Sequence, residues 1–151
     1  MIGELLDNRY EVLSILGKKT GRITLKVRDL HSHELAVIKL LSFHNDFVWD
    51  DLKLFEREAR TLKNLSHRSI PGYIDYFEVK KPLSGFALVQ TYIRAQTLEQ
   101  HLNSGRCFTE AEVKQIAIKI LDILVYLHSI SPPVIHRDIK PSNILLSDRS
   151  G

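Results

Sequence analysis

The 151-residue chain has few of the residues that mark secreted, disulfide-linked or fibrous proteins. Its single cysteine, Cys107, cannot form an intrachain disulfide, and an unpaired thiol suits a reducing compartment. With only seven glycines and five prolines it has no Gly/Ser linker and no low-complexity run. The 44% hydrophobic content is sufficient for the core of one ordinary domain.

The chain also lacks a long apolar run and an excess of one charge. Its most apolar stretch, 116–127, is interrupted by Lys119 and Asp122, and its start, MIGELLDNRYEVL, carries acids where a signal peptide needs basic residues. We therefore expect no membrane span, no secretion and a cytoplasmic location. Lys and Arg outnumber Asp and Glu by only 21 to 18 and are interspersed with them, so nucleic-acid binding is not expected either.

Hydrophobic periodicity predicts an α+β fold. From 23 to 28 apolar and polar residues alternate strictly, which is the period of a strand with one solvated face. Strands are predicted over 10–16, 23–28, 35–41, 74–79 and 86–91. Gly17 and Gly21 bound a hairpin between the first two. This order indicates an antiparallel sheet that carries one helix.

Two segments have helical spacing. Over 50–65, one predicted stripe contains Leu54, Glu58, Leu62 and Leu65, with Phe55 and Ala59 beside it. A second helix begins after Thr109, which forms a capping box with Glu112. This helix is apolar over more than half of its circumference, so it is expected to need partners on several faces.

The segment 135–143, IHRDIKPSN, resembles the catalytic loop of serine/threonine protein kinases. The resemblance implies that Asp138 accepts the proton of a substrate hydroxyl and that Lys140 offsets charge on the transferring phosphoryl group. It also implies that Asn143 holds a magnesium ion. The alternative reading is a charged turn that contains these residue types by chance, and the number of matches in order weighs against it.

Two upstream residues extend the resemblance. Ala36-Val37-Ile38-Lys39 is similar to the kinase strand whose lysine contacts the ATP phosphates, and Glu58 matches the helix glutamate that pairs with that lysine. A lone strand lysine is more often a surface residue whose ammonium reaches solvent. If Lys39 and Glu58 were unrelated surface charges, their exchange would cost little.

The stretch 88–93, LVQTYI, resembles the last strand and hinge, which read the adenine edge through main-chain groups. The resemblance implies that Gln90 is the gatekeeper, that Thr91 offers its carbonyl, and that Ile93 offers its amide and carbonyl. It further implies that Val37 packs beside the adenine and that Leu145 forms the apolar floor beneath it.

The segment that corresponds to the glycine-rich loop of the family, G-x-G-x-x-G-x-V, is GKKTGRI at 17–23, which is one residue shorter. By this resemblance Gly17 would supply the first glycine, Gly21 the last, and Ile23 the apolar residue that covers adenine. Lys19 stands near the place of the middle glycine, where a side chain restricts the close approach of backbone to phosphate.

Together these matches imply a protein kinase-like fold, in the style of bacterial and especially cyanobacterial eukaryotic-type kinases. The expected small lobe, 7–92, is a five-stranded antiparallel sheet with one helix. A hinge, 93–97, leads to the first helices and catalytic loop of the large lobe, 98–151. The implied reaction transfers the γ-phosphoryl group of ATP, with Mg²⁺, to a serine or threonine hydroxyl of a protein substrate.

No Asp-Phe-Gly follows Asn143 before Gly151, and that aspartate would anchor magnesium. The chain alone is therefore expected to be weakly active or inactive, and its apolar helix to drive self-association. The alternatives are a non-catalytic, pseudokinase-like module that binds nucleotide or protein, and a truncated fragment without a selected function.

Overall fold

A computed structural model of the protein describes residues 1–19, 21–43, 49–80, 84–130 and 144–146. Contacts divide the chain into two compact units, Met1–Tyr92 and Ile93–Gly151. The elements of the first unit are β1 Leu5–Leu6, β2 Tyr10–Lys19, β3 Arg22–Asp29, β4 Leu35–Ser42, α1 Trp49–Lys63, β5 Tyr73–Val79 and β6 Gly85–Thr91. Those of the second are β7 Gln96–Thr97, α2 Leu98–Asn103, α3 Glu110–Ser129 and β8 Leu145–Leu146.

The strands of the first unit form one antiparallel sheet with the order β1-β2-β3-β4-β6-β5. The predicted α+β class is confirmed, and each of the five predicted strands is present with ends that differ by a few residues. A sixth strand, β1, was not predicted because two residues are too short to show a period.

Side-chain alternation along the sheet produces two separate cores. Ala36, Ile38 and Leu40 of β4 point into a first core, which also contains residues of β1, β2, β3, β5 and β6. Leu41 of β4 belongs to a second core on the opposite face, where α1 packs. We call this opposite side the α1 face of the sheet.

Helix α1 buries Leu52, Phe55 and Ala59, which recur at the spacing of one helical stripe. The predicted placement of Leu54 on the buried side is wrong, because 56% of that residue is exposed. The stripe that meets the sheet runs through Phe55 and Ala59 instead, and it leaves Glu58 at its edge.

In the second unit, both helices begin with capping boxes. The box of Thr109 and Glu112 is present as predicted, and Thr97 forms a second one with Gln100 at the start of α2. Strand β8 pairs with β7 in antiparallel register. No helix in the described part of the chain is both long enough and apolar enough to cross a membrane.

Candidate functional site

The site is built around an ion pair between the sheet and α1. The Nζ atom of Lys39 lies 2.7 Å from Oε1 of Glu58, although 19 residues separate them in the chain. Both side chains are a little over one third exposed, at 38% and 36%. A charged hydrogen bond this short fixes the direction of the lysine, while the remaining exposure leaves ammonium donors available to a ligand.

The register of β4 explains why Lys39 faces α1. Lys39 lies between Thr24 of β3 and Leu88 of β6, and Leu88 and Leu41 both pack in the α1 core. Glu58 follows Phe55 by three residues and precedes Ala59, so docking of the buried stripe brings its carboxylate to the sheet.

A second cation shares the Glu58 carboxylate. The NH1 atom of Arg22 lies 3.7 Å from Oε2 of Glu58, and the guanidinium lies over the ring of Phe55, with 5.6 Å from Cζ to the ring centroid. Arg22, Lys39 and Glu58 together carry a net charge of +1 at neutral pH. Such a cluster favours an anionic ligand near the start of β3.

Two predicted adenine residues lie on the same face as Lys39. Val37 pairs directly with Gln90 across the β4–β6 ladder. Val37 is buried, and Gln90 is half-buried. Because side chains alternate along a strand, Val37 and Lys39 are neighbours on the α1 face.

Ile23 is not brought together with these residues. It pairs with Leu40 and packs against the first core, on the other side of the sheet. The β3 residue opposite Lys39 is Thr24, which the sequence interpretation did not name. The strict alternation over 23–28 contained the signal, because it placed Ile23 with Leu25 on the apolar side.

The glycine-containing segment forms a paired hairpin. Strand β2 continues through Gly17 to Lys19, and Lys19 pairs with Arg22. Gly21 has a φ of 73°, which favours glycine, whereas a Cβ on Gly17 would meet only the Thr24 Cβ at 4.0 Å. The backbone therefore needs a glycine at position 21, and it tolerates a side chain at position 17.

The predicted hinge residues have several of their polar groups occupied. In the first unit, Thr91 N donates to the Gly72 carbonyl at 2.9 Å, and its Oγ1 accepts from Gly72 N at 2.8 Å. In the second unit, the Ile93 carbonyl accepts from Ala95 N at 2.9 Å. A carbonyl oxygen has two lone pairs, so that of Ile93 retains one for a ligand.

The catalytic and metal-binding predictions Asp138, Lys140 and Asn143 lie outside the described residues. Leu145, the predicted adenine floor, is in β8, pairs with Thr97 and is 44% exposed. Within the ranges that the structure describes, no three His, Cys, Asp or Glu side chains converge to hold a metal.

Comparison with known proteins gives a consistent result. The family described as "Protein kinase domain" matches residues 10–151. Serine/threonine-protein kinase B of Synechocystis is 40% identical over 146 residues, which cover 93% of this chain and 25% of the relative. Serine/threonine-protein kinase PknA of Nostoc is 36% identical over 155 residues, which cover 98% of this chain and 27% of the relative.

A more distant relative comes from mammals. The human serine/threonine-protein kinase tousled-like 1 is 33% identical over 149 residues, which cover 95% of this chain and 19% of that protein. The chain thus spans about a fifth to a quarter of the length of these relatives.

Proposed function

Because the chain belongs to the protein kinase domain family, we propose that it is the nucleotide-binding part of a serine/threonine protein kinase. The 2.7 Å pair between Lys39 and Glu58 is the observation that carries this proposal. The kinase names of the relatives support it over a pseudokinase-like module that only binds nucleotide or protein.

In the proposed complex, Lys39 donates to the α- and β-phosphates of ATP, and Glu58 holds the ammonium in place. The charge of Arg22 adds to the attraction, because the three-residue cluster is positive overall. Each charged hydrogen bond of this kind contributes about 1.5–3 kcal/mol. Mg²⁺ would neutralise phosphate charge, and Asn143 would be its ligand in this chain.

Adenine recognition is proposed for residues on two segments. On the α1 face, Val37 is an apolar neighbour of Lys39 and Gln90 is a polar one. Main-chain groups of Thr91 and Ile93 and the side chain of Leu145 complete the proposed set. Since Ile23 lies on the other side of the sheet, we assign the covering position to the methyl group of Thr24.

The phosphate side of the proposed site uses the hairpin backbone. Gly21 allows the turn, and Gly17 leaves the first position small.

Phosphoryl transfer is proposed for the whole protein, with a protein serine or threonine as acceptor. Asp138 would accept the hydroxyl proton, and Lys140 would offset charge on the phosphoryl group. We also propose a cytoplasmic location, because the exposed thiol of Cys107 suits a reducing compartment.

The test is a calorimetric titration of the chain with ATP, with and without Mg²⁺. Lys39→Ala should weaken binding about 10- to 100-fold, because it removes one charged hydrogen bond to phosphate. Glu58→Gln should weaken it by a smaller factor, since the Lys39 ammonium that contacts phosphate remains and the glutamine amide oxygen can still accept from it. Lys53→Ala, on the exposed surface of α1, is the matched control and should bind like the wild type. Equal affinity of the Lys39 and Lys53 variants would contradict the proposal.

Self-association through α3 is a separate part of the proposal. Ile118, Leu121 and Val125 follow one helical stripe and are 64%, 58% and 67% exposed. We propose that a second copy of the chain covers this stripe. Sedimentation equilibrium should detect dimers that Leu121→Gln weakens, whereas the matched change Leu102→Gln on α2, 47% exposed, should not. A monomer at all concentrations would contradict this part alone.

A further inference from the structure

A cavity lies beside the C-terminal end of α1, within the first unit. Its volume is about 460 Å³, which is in the size range of small-molecule sites. It is lined by eight residues between Lys63, the last residue of α1, and Tyr73, the first residue of β5. None of them is among the residues that we assign to ATP binding, so the cavity is distinct from the proposed nucleotide site.

The wall of this cavity is positively charged. Lys63 and Arg68 contribute two cations, and no aspartate or glutamate among the described residues lines it. The Nζ atom of Lys63 lies 5.7 Å from the centroid of the Tyr73 ring, and this cation–π contact holds the ammonium beside the cavity. Lys63 and Arg68 are both exposed, so their donors can reach a ligand. The charge of the wall therefore favours an anion.

The negative end of the α1 dipole is partly neutralised at this place. The last carbonyl groups of a helix carry partial negative charge, which opposes an anionic ligand. Two of these carbonyls are occupied, because Asn64 N donates to the Thr61 carbonyl and Leu65 N donates to the Leu62 carbonyl, each at 3.1 Å. The two cations of the wall thus act against a helix end whose carbonyls already have partners.

Another part of the wall is apolar. Leu65 and Ile70 are half-buried, and the ring of Tyr73 adds an aromatic surface. Burial, followed by the charge of Asp75, raises the pKa of the Tyr73 hydroxyl above its ordinary value, so the phenol is neutral at physiological pH. An apolar body in the cavity would remove this surface from water, whereas a bare inorganic anion would leave it solvated.

The loop that forms the cavity is held by hydrogen bonds in its middle and at its end. Ile70 N donates to the His67 carbonyl at 3.1 Å, and Ser69 N donates to Nδ1 of His67 at 3.0 Å. Gly72 N donates to Oγ1 of Thr91 at 2.8 Å, and Thr91 N donates to the Gly72 carbonyl at 2.9 Å. A ligand therefore meets an ordered wall, which reduces the entropy lost on binding.

We propose that this cavity binds a small organic anion in which a carboxylate is attached to an aromatic or other apolar body. The carboxylate meets the Lys63 ammonium and the Arg68 guanidinium, which are natural partners of carboxylates. The body of the ligand covers the apolar part of the wall. An apolar surface with a few polar groups that fix orientation is the usual form of a small-molecule site.

The probe is 2-naphthoate, which is compared with its uncharged amide, 2-naphthamide, and with inorganic phosphate, an anion without an apolar body. In titrations of the whole chain followed by amide NMR, naphthoate should bind with a Kd of about 0.1–1 mM, the affinity expected for a ligand of this size. The largest shifts should belong to residues 63–73. Naphthamide should bind about 5-fold more weakly because it lacks the charge, and phosphate should also bind more weakly than naphthoate.

Variants test the two cations separately. Lys63→Gln and Arg68→Gln should each weaken naphthoate binding about 3- to 10-fold and leave naphthamide binding unchanged. The matched controls are Lys53→Gln and Arg57→Gln, which alter exposed cations of α1 outside the cavity wall. Both controls should bind naphthoate like the wild type. Added salt should weaken the binding of naphthoate and not that of naphthamide, because it screens exposed charges.

Equal affinities for naphthoate and naphthamide would overturn the inference, because the cations would then contribute nothing. Phosphate binding as tight as that of naphthoate, shifts centred outside 63–73, or no saturable binding of naphthoate up to about 10 mM would also overturn it. Lys39→Ala should weaken ATP binding and leave naphthoate binding unchanged. A chain that binds naphthoate but not ATP would defeat only the proposed function, and a chain that binds ATP but not naphthoate would defeat only this inference.

Discussion

The strongest stability prediction concerns the buried carboxylate at the end of β3. Asp29 is 3% exposed, and its two oxygens accept from Nε and NH2 of Arg9, each at 2.9 Å. The backbone N of His31 also donates to it at 2.9 Å. Asp29→Asn keeps the shape and an acceptor for His31, but it removes the charge that faces Arg9.

The size of the effect follows from the burial of the two partners. Removing one member of a buried ion pair commonly costs about 3–5 kcal/mol, because the other charge stays behind without a partner. The Arg9 side chain is 27% exposed, and its NH1 lies 3.9 Å from Asp75, so part of that cost is relieved. We expect Asp29→Asn to lower the free energy of unfolding by about 2 kcal/mol, which moves the urea midpoint by about 1 M.

The pH dependence has a definite sign. The Arg9 hydrogen bonds hold the pKa of Asp29 well below its ordinary value of 3.8 against the opposing effect of burial, and the His31 amide adds to this. A carboxyl with a lowered pKa stabilises the fold above its unfolded pKa, and that contribution declines as the pH falls towards the folded pKa. The gap between wild type and Asp29→Asn should be constant from pH 5 to 8 and should narrow below about pH 4.

Urea unfolding followed by circular dichroism at several pH values is the assay. Asp75→Asn is the control, because it is the same substitution near the same arginine at a position that is 34% exposed. Its effect should be below about 1 kcal/mol. Equal stability of the wild type and Asp29→Asn at pH 7, or a gap that widens in acid, would refute the reasoning.

Three further changes test local features. Gly85→Ala should lower the free energy of unfolding by about 3 kcal/mol, because its Cβ would collide with the carbonyl oxygen of Leu41. The control Gly17→Ala has room for the Cβ and should change the free energy of unfolding in urea by about a few tenths of a kcal/mol. Equal effects of the two changes would contradict the pairing of β6 with β4. Thr109→Ala should remove the N-terminal cap of α3 and lower the free energy of unfolding in urea by about 1 kcal/mol. No loss of stability would mean that the cap is not formed in solution. Arg22→Gln should lower the free energy of unfolding by at most about 0.5 kcal/mol, because the 3.7 Å ion pair of Arg22 with Glu58 is partly solvated. A larger coupling energy between Arg22 and Glu58 in a double-mutant cycle would show that the pair is stronger than its exposure implies.

The periodicity of the sequence was sufficient for the sheet and for both long helices. It could not assign the exposed side of α1, because Leu54 and Phe55 are equally apolar and only packing against β5 and β6 distinguishes them. Strands β7 and β8 have two residues each, so their pairing is a tertiary contact without a local period. Helix α2 did have a local signal, since Thr97 and Gln100 have capping-box spacing.

For the candidate site, the residues alone were less informative than the resemblance. No spacing rule links Lys39 to Glu58, because their contact depends on how a helix docks on a sheet. The resemblance supplied that pair, and it also suggested Ile23, which packs on the other side of the sheet, whereas Thr24 is the residue that pairs with Lys39. Local alternation predicts on which side of the sheet Ile23 lies, because side-chain direction in a strand is set by the pleat.

The alternation of β4 also makes Lys39 disfavour an incorrect register of the sheet. A slip of one residue in the pairing of β4 would turn Lys39 away from Glu58 and insert its ammonium among Leu25, Val27 and their neighbours in the first core. Burying an unpaired charge in such a core is far more costly than misplacing an alkyl group. Lys39 therefore also helps to specify the register of the sheet. The same charge that the correct register presents to a ligand destabilises an incorrect register.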